Sequence, residues 1–500
     1  MTGLGRIPEK HRFDLIVIGG GISGACMVHE ATLYGLNAIL LEAGDFGHAN
    51  SANSLRILHG GIRYLSRLQL RSCRQSCAEQ AWFARRFPRY TRSVSCLYPI
   101  ENSLRDFIAA RALKGVYRVS TWGLTRGGTE AADTDIRRAS YHRAYREMTG
   151  TDAVSFVDWE EVVMRSPARI LMQLLKQSCL LGNACVNYTQ VDSLDHRDGR
   201  IRGVYAHDVE FGTEYYFEAP FVVNCGAARI PGCEVVQSQQ PRGAQSLAVN
   251  LVLRRPAFED VILVGRGRQA GDNTILLTPR NGHLVAGTFH FATEHSDRSS
   301  QPSENQLIEC IQQLNRIFPQ AGFERDDIVG VESGALPVSR RGERIPRLPD
   351  QIHAHMTRDG KSGLITVRNM KYTTAHRLAR RTLHRIAPQA IRRRDPGPFE
   401  YENFDWSAYH PNRVIPRQRL SENLKKLCRQ EAVRQLSDLT LRRTEWGREA
   451  SFRRQDLVEV ADLTGISFCG ESLSAAGAVM GSLSEATTVS ASGESPIQTS

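Results

Sequence analysis

The chain has 500 residues, more than one ordinary domain holds, so two or three folding units are expected. Hydrophobic residues make up 41% of it, enough for substantial cores, and no apolar run gives the ~20 residues of a membrane-crossing helix. A formal net charge of +11 favours anionic small molecules or anionic lipid surfaces, whereas no helix-turn-helix, zinc-finger or RNA-binding signature speaks for nucleic acid. The eleven cysteines show no CxxC or regular framework, and Cys26, Cys179 and Cys225 sit in apolar surroundings. Free buried thiols are therefore expected. Together with an N-terminus that lacks a secretory apolar core, they predict a cytoplasmic protein.

Residues 13–42 read FDLIVIGGGISGACMVHEATLYGLNAILLE. A buried strand runs into Gly19, Gly21 and Gly24, a helix follows, and a second strand ends in Glu42. This is the βαβ pattern of a dinucleotide site. Gly19 permits the tight turn, Gly21 lets backbone approach a pyrophosphate, and Gly24 lets helix and strand pack closely. Glu42 is placed to accept hydrogen bonds from an adenosine ribose. Small polar residues then lead into His59-Gly60-Gly61-Ile62-Arg63-Tyr64, a loop suited to wrapping a polar cofactor.

Further along, 66–90 reads as helix, and 103–120 as a basic amphipathic helix, either membrane-facing or merely solvated. A helix is expected over 166–182, a strand over 184–191, and a hairpin turn at Asp198-Gly199. The strand Phe221–Val223 then runs into Asn224-Cys225-Gly226. Strands over 245–255, 261–265, 273–279 and 283–289 suggest an antiparallel or mixed sheet, and a helix covers 303–318. Near Arg368 another strand ends before Thr373 and Thr374 open a helix. The segment 387–416, with its RRRD at 392–395, reads as a solvated linker, and 420–480 as helical and charged. His353 and His355 have no companion ligands, so no metal site is proposed.

These pieces resemble the FAD-dependent glycerol-3-phosphate dehydrogenase family, within the D-amino-acid-oxidase-like flavoproteins, from Phe13 to about Gly477. The most specific match is SANSLRILHGGIRYL at 51–65. VVNCGAA at 222–228, the helix at 302–319, MKYTTAHRLA at 370–379 and EAVRQLSDLTLRRTEWG at 431–447 support it. The resemblance implies an α/β plus α+β architecture: a Rossmann-like FAD-binding domain (10–95, 151–240 and 331–390), a mixed-sheet substrate domain (241–330) and a small helical C-terminal domain (391–480). Residues 96–150 form a substrate cap or membrane-facing segment, and 481–500 a flexible tail.

By the same resemblance Gly19, Gly21, Gly24 and Glu42 hold the adenosine and pyrophosphate of FAD. Ser51 and Ser54 lie beside the pyrophosphate and flavin, Gly226 forms the second cofactor segment, and Val191 meets adenine. Lys371, Thr373 and Thr374 lie near the flavin ring, while His59, Arg63, Tyr64 and Lys371 make up the catalytic set. Each has a plainer alternative: a buried salt bridge for Arg63, a structural hydrogen bond for His59, core packing for Tyr64 and Val191, a solvated side chain for Lys371. The implied reaction oxidises the secondary alcohol of glycerol 3-phosphate, or of a related phosphorylated alcohol, by hydride transfer to flavin. Electrons then pass to a membrane quinone or to oxygen, from an enzyme peripheral to the cytoplasmic face of an anionic membrane.

Three departures from the family pattern carry weight. Leu336 stands in GALPV where an arginine is usual, Asn369 and Met370 replace two glycines before Lys371, and Arg56 replaces a lysine. A leucine cannot hold a phosphate, and the new side chains at 369 and 370 are expected to crowd the flavin. Two other readings stay open on that account: an oxidase or dehydrogenase of an amine or unphosphorylated hydroxy acid, and a flavin-binding regulatory protein with a decayed site.

Overall fold

The computed structural model describes residues 4–61, 69–100, 115–116, 143, 145–150, 155–226, 245–255, 261–267, 273–293, 301–355, 362–393, 399, 415–449 and 452–466. Its first half contains β1 (Leu15–Ile18), α1 (Ile22–Leu33), β2 (Ala38–Leu41), β3 (Ile57–Leu58), α2 (Leu70–Arg86), β4 (Thr91–Ile100), β5 (Ser155–Met164), α3 (Pro167–Leu180), β6 (Ala184–Val186), β7 (Thr189–Arg197), β8 (Arg200–Asp208), β9 (Glu214–Glu218) and β10 (Val222–Asn224). There follow β11 (Gln245–Leu253), β12 (Val261–Gly265), β13 (Ile275–Arg280), β14 (His283–Thr293), α4 (Glu304–Ile317), β15 (Ile328–Pro337), β16 (Gln351–Ala354), β17 (Leu364–Arg368), α5 (Ala375–Ile386), α6 (Arg417–Gln430) and α7 (Arg454–Thr464).

Three sheets organise the molecule. The first has the order β16-β17-β10-β1-β2-β6, parallel except for β16 at its edge. Its strands are nearly continuous apolar runs because both faces are covered. On one side lie α1, α3 and α5, whose Met27, Val28, Leu174, Leu378 and Leu383 share a core with Leu15, Val17 and Leu40. On the other lies the antiparallel meander β7-β8-β9, meeting Ile16, Ile39 and Leu41 through Val204 and Phe217. Asp198 and Gly199, at φ 53° and 75°, make the tight turn expected between β7 and β8.

The second sheet has the order β15-β11-β14-β13-β12-β4-β5-β3. It is antiparallel except where β12 runs parallel to β4. Leu247, Val249, Leu251, Phe289 and Phe291 project from one face onto Leu307, Ile311 and Leu314 of α4. That helix starts at a capping box: the Ser303 hydroxyl accepts from the Gln306 amide and the Gln306 side chain from the Ser303 amide. A separate helical unit, α6 through α7, buries Leu424, Leu436, Leu439, Trp446 and Val460 around its own core.

The sheets cut across the boundaries expected at 96, 151 and 331. β3, β4 and β5 pair in the second sheet, not with β1, and β15 stays in it to Pro337. Alternating apolar residues announce a strand but not the sheet it joins. The basic segment 103–120 lies outside the described residues except for Gly115 and Val116, which are helical. The solvated linker at 392–395 needs correction at Arg392, whose guanidinium donates to both oxygens of the buried Glu30 at 2.6 and 2.6 Å.

Candidate functional site

Parallel pairing of β17, β10, β1 and β2 places their carboxyl ends along one edge of the first sheet. Gly19, Gly21, Gly24, Glu42, Gly226, Lys371, Thr373 and Thr374 all follow those ends, so segments far apart in sequence emerge side by side. Gly19 adopts φ +101°, and a Cβ there would lie 2.7 Å from the Gly226 amide nitrogen. A Cβ on Gly24 would lie 1.9 Å from the Gly19 carbonyl oxygen, so strand and helix touch backbone to backbone. Gly20, which the sequence reading passed over, is equally constrained, with Glu42 and Phe46 2.8 Å from its would-be Cβ.

The N-terminus of α1 begins at Gly21, and the Ser51 hydroxyl accepts from the Ile22 amide at 2.9 Å. Glu42 is buried and accepts from the Gly20 amide at 2.5 Å and the Gly44 amide at 2.8 Å. These bonds leave each carboxylate oxygen a further lone pair for a hydroxyl. Val191 is buried on β7 in the core shared with Ile16 and Leu41. Ser54 accepts from the Arg56 amide at 3.2 Å.

Behind β17, Asn369 turns its side-chain amide to the chain's own groups. Its Nδ2 donates to the Ser23 hydroxyl on α1 at 3.0 Å, and its Oδ1 accepts from the Lys371 amide and the Thr374 hydroxyl, both at 3.1 Å. The residue replacing glycine thus folds back and ties the third segment to the first. The Met370 amide donates to Asp350 at 2.8 Å. Lys371 is exposed, Thr374 buried, and the buried Thr373 hydroxyl has no hydrogen-bond partner among the described residues.

His59 follows β3 and is half-buried. Its neighbour Gly60 is held by Glu161 of β5, which accepts from the Gly60 amide at 2.8 Å, Gln80 at 2.8 Å and the Trp159 indole at 3.0 Å. The Cys77 thiol donates to the Gly60 carbonyl. Glu161 positions this turn and was not marked by any motif. Arg63 and Tyr64 lie outside the described residues.

The second sheet turns one face towards the serine-rich loop. A Cβ on Gly334 would lie 2.3 Å from Asn50 Oδ1, while Asn50 donates to the Ala335 carbonyl at 2.8 Å and Asn53 to the Ser333 carbonyl at 3.0 Å. Leu336 is two residues on from Gly334 and shares that face, directly opposite Ser246. The Ser246 hydroxyl is 3.0 Å from His290 Nδ1, on the next strand. Further down the same face Glu332 binds Arg280 through two 3.0 Å bonds and Arg448 at 2.6 Å. Burial pushes the Glu332 carboxyl up, but the guanidinium groups of Arg280, Arg448 and Arg56 outweigh it and bring it to about 2. Arg56 itself is buried at φ 61°, paired with Glu445 at 3.2 Å.

Such an edge, with glycines at strand ends, an acid after β2 and a helix N-terminus between them, defines a dinucleotide-binding fold. The model of the FAD dependent oxidoreductase family matches residues 14–376, and the chain belongs to that family, whose cofactor is FAD. Among curated proteins it is similar to the mitochondrial glycerol-3-phosphate dehydrogenase of Schizosaccharomyces pombe, 24% identical over 77% of this chain and 62% of that one. It is also similar to the aerobic glycerol-3-phosphate dehydrogenase of Bacillus subtilis, 22% identical over 80% of this chain and 72% of that one. The chain spans 62% and 64% of the length of the two yeast relatives it matches. The solved glycerol-3-phosphate dehydrogenase from Bacillus halodurans, complexed with FAD, shares the fold with a TM-score of 0.64 at 17% identity, covering 96% of this chain and 97% of that one.

The residues present fit FAD. Gly19, Gly20 and Gly24 bring β1, α1, Glu42 and the Gly226 segment together with no room for a Cβ, Glu42 retains acceptor capacity, and the buried Thr373 hydroxyl has no partner among the described residues.

Proposed function

We propose that this protein oxidises glycerol 3-phosphate, or a closely related phosphorylated alcohol, to the corresponding ketone. The observation that carries the reading is the convergence at one sheet edge of the Gly19–Gly24 turn, Gly226 and Lys371–Thr374, facing the loop that leads into His59. Similarity to dehydrogenases named for this substrate supports it. FAD, when bound, supplies the hydride acceptor. The chain's own work is placement and charge. The α1 N-terminus and Ser51 receive the pyrophosphate, Glu42 the ribose, and Thr373 the flavin end. Val191 lines the adenine. Lys371 places positive charge beside the flavin, where reduction adds electron density. Arg63 holds the substrate phosphate, Tyr64 lines the pocket, Ser54 lies beside the pyrophosphate and flavin, and His59 takes the hydroxyl proton, as an imidazole near neutral pH does.

Leu336 removes one phosphate contact, and Ser246, directly opposite it, and His290 are polar groups that share its face. Electrons leave to a membrane quinone or to oxygen. The outward row Arg380, Arg381 and Arg385 of α5 is charge that an anionic cytoplasmic membrane surface would attract. Among the described residues no helix is long and apolar enough to cross a membrane.

The test is anaerobic addition of glycerol 3-phosphate to the FAD-loaded protein, followed near 450 nm. Rapid bleaching is expected, and Leu336→Arg should tighten substrate binding by about 10- to 100-fold, the worth of one charged hydrogen bond. A flavin that dithionite bleaches but glycerol 3-phosphate does not would refute the reading. Bleaching by an amine or unphosphorylated hydroxy acid instead would put that class in its place.

A further inference from the structure

Asp45 lies three residues beyond Glu42, in a turn laced to its surroundings by backbone. Gly47 donates to the Gly20 carbonyl at 3.1 Å, Thr189 to the Glu42 carbonyl at 2.8 Å and Tyr188 to the Gly44 carbonyl at 3.0 Å. Its carboxylate, 1% exposed, points away from solvent into the helical C-terminal unit. There Arg443 donates to both oxygens at 2.7 and 2.7 Å, the Arg442 Nε–H donates to one of them, and Asn187 donates at 3.2 Å. Arg443 is fully buried and also donates twice to the Glu431 carbonyl, at 3.1 and 2.9 Å. Arg442 continues to Asp438 at 2.7 Å, and Asp438 accepts from the Tyr188 hydroxyl at 2.7 Å.

A buried ion cluster of this kind is a poor source of stability compared with apolar packing, because both charges lose their water. What the Arg443 fork, with the single Arg442 bond beside it, does provide on one carboxylate is a fixed position and direction. The position fixed here is the turn that carries Glu42. We propose that the C-terminal helical unit is a positioning element of the cofactor site: through Arg442 and Arg443 it holds Asp45, and thereby sets the affinity for the adenosine half of FAD. The proposal rests on the family's cofactor and not on the substrate reading, so flavin binding tests it whether or not glycerol 3-phosphate is oxidised.

The experiment titrates flavin-free full-length protein with FAD and with FMN, which lacks adenosine, following flavin fluorescence. Asp45→Asn and Arg443→Lys should each weaken FAD by tenfold or more and change FMN by less than twofold. Equal weakening of both flavins, or no weakening of FAD, overturns the proposal. Arg434→Ala breaks the largely buried pair to Asp208 that ties the same unit to β8, at a distance from Asp45 along the chain. It should leave FAD affinity unchanged; a loss matching that of Asp45→Asn would mean that docking of the unit matters and the Asp45 contact does not, and would overturn it. Should the Asp45 and Arg443 variants not fold, wild-type protein decides. Binding constraints are reciprocal, so ADP should slow amide exchange in 436–446 while FMN does not. Protection by ADP confined to 15–48 would overturn the proposal.

Discussion

His376 offers the sharpest test of how the cofactor sheet is held. It lies two residues beyond Thr374 on α5, buried and stacked on Trp82 with ring centroids 3.7 Å apart and planes 9° from parallel. Nδ1 is 2.9 Å from Glu79 of α2 and Nε2 is 3.0 Å from Glu30 of α1. Ionised carboxylates only accept, so both ring nitrogens must carry protons and the ring is an imidazolium. Burial alone would push its pKa down; the hydrogen bonds it donates to Glu30 and Glu79 outweigh burial and raise it. Replacing it in His376→Gln leaves Glu79 with at most one neutral donor in place of a charged one. Breaking a buried pair in this way costs about 3–5 kcal/mol.

The pH dependence has a definite sign. Because the folded pKa is raised, the stabilisation is fully present below the unfolded value of about 6.5 and is lost as pH climbs through the folded pKa. Between those limits it falls by about 1.4 kcal/mol per pH unit. Glu30 behaves oppositely. Burial pushes it up, but hydrogen bonds from Arg392 and His376 prevail and hold it at about 2, so its share is present above about 4.5 and is lost as pH falls through 2. The assay is urea unfolding from pH 6 to 10 for both proteins, with wild type falling more steeply than the variant above pH 6.5. Parallel curves would refute the imidazolium and require a protonated carboxyl at Glu30 or Glu79.

Two further substitutions probe the edge where the cofactor segments meet. In Gly24→Ala the new Cβ begins 1.9 Å from the Gly19 oxygen, so helix and strand must part by about 1.5 Å to reach an ordinary contact near 3.4 Å. That overpacking costs about 3 kcal/mol and moves the α1 amides, so the purified protein should carry little flavin. Full flavin content at unchanged melting temperature would contradict the close approach. In Glu161→Gln one of three donors, from Gly60, Gln80 or Trp159, meets an amide donor instead of an acceptor. A penalty of about 1–3 kcal/mol at the turn beside His59 should slow substrate bleaching by roughly 5- to 150-fold. Flavin content should stay whole, and an unchanged bleaching rate would separate Glu161 from the reaction.

Local pattern carried much of this architecture. The β1–α1–β2 unit, the Asp198-Gly199 turn and the Ser303–Gln306 box are each fixed by residues a few positions apart, where periodicity, glycine and capping chemistry act. Sheet membership was not legible, since β4 meets β12 in parallel across a long stretch of chain and an apolar alternation fits either sheet. Nor were the residues that hold the site. Glu161 reaches Gly60 across 101 positions, and Arg442 reaches Asp45 across 397. No spacing announces such pairs. Asn369 is another such case: its amide meets Ser23, Lys371 and Thr374, and Ser23 lies 346 positions away.

The charge balance has the same lesson at larger scale. Read from composition, +11 is a field for attracting anions. In the folded chain Arg56, Arg169, Arg280, Arg442, Arg443 and Arg448 are spent inside, on Glu445, Glu431, Glu332, Asp45 and Asp438. Five of these seven pairs join the helical C-terminal unit to the rest of the chain, at Arg56, at Arg169, twice at Asp45 and at Glu332. The first and second sheets are assembled from separated segments, and apolar faces alone let packed elements slide by a fraction of a residue at small cost. A guanidinium fork does not. The pairs therefore lie where register matters most: beside Glu42, beside Asn53 and on the sheet face that carries Leu336. Replacing all of them with well-packed apolar residues would leave the protein folded, but with the turn at Glu42 free to wander, and flavin affinity would register the loss before stability did.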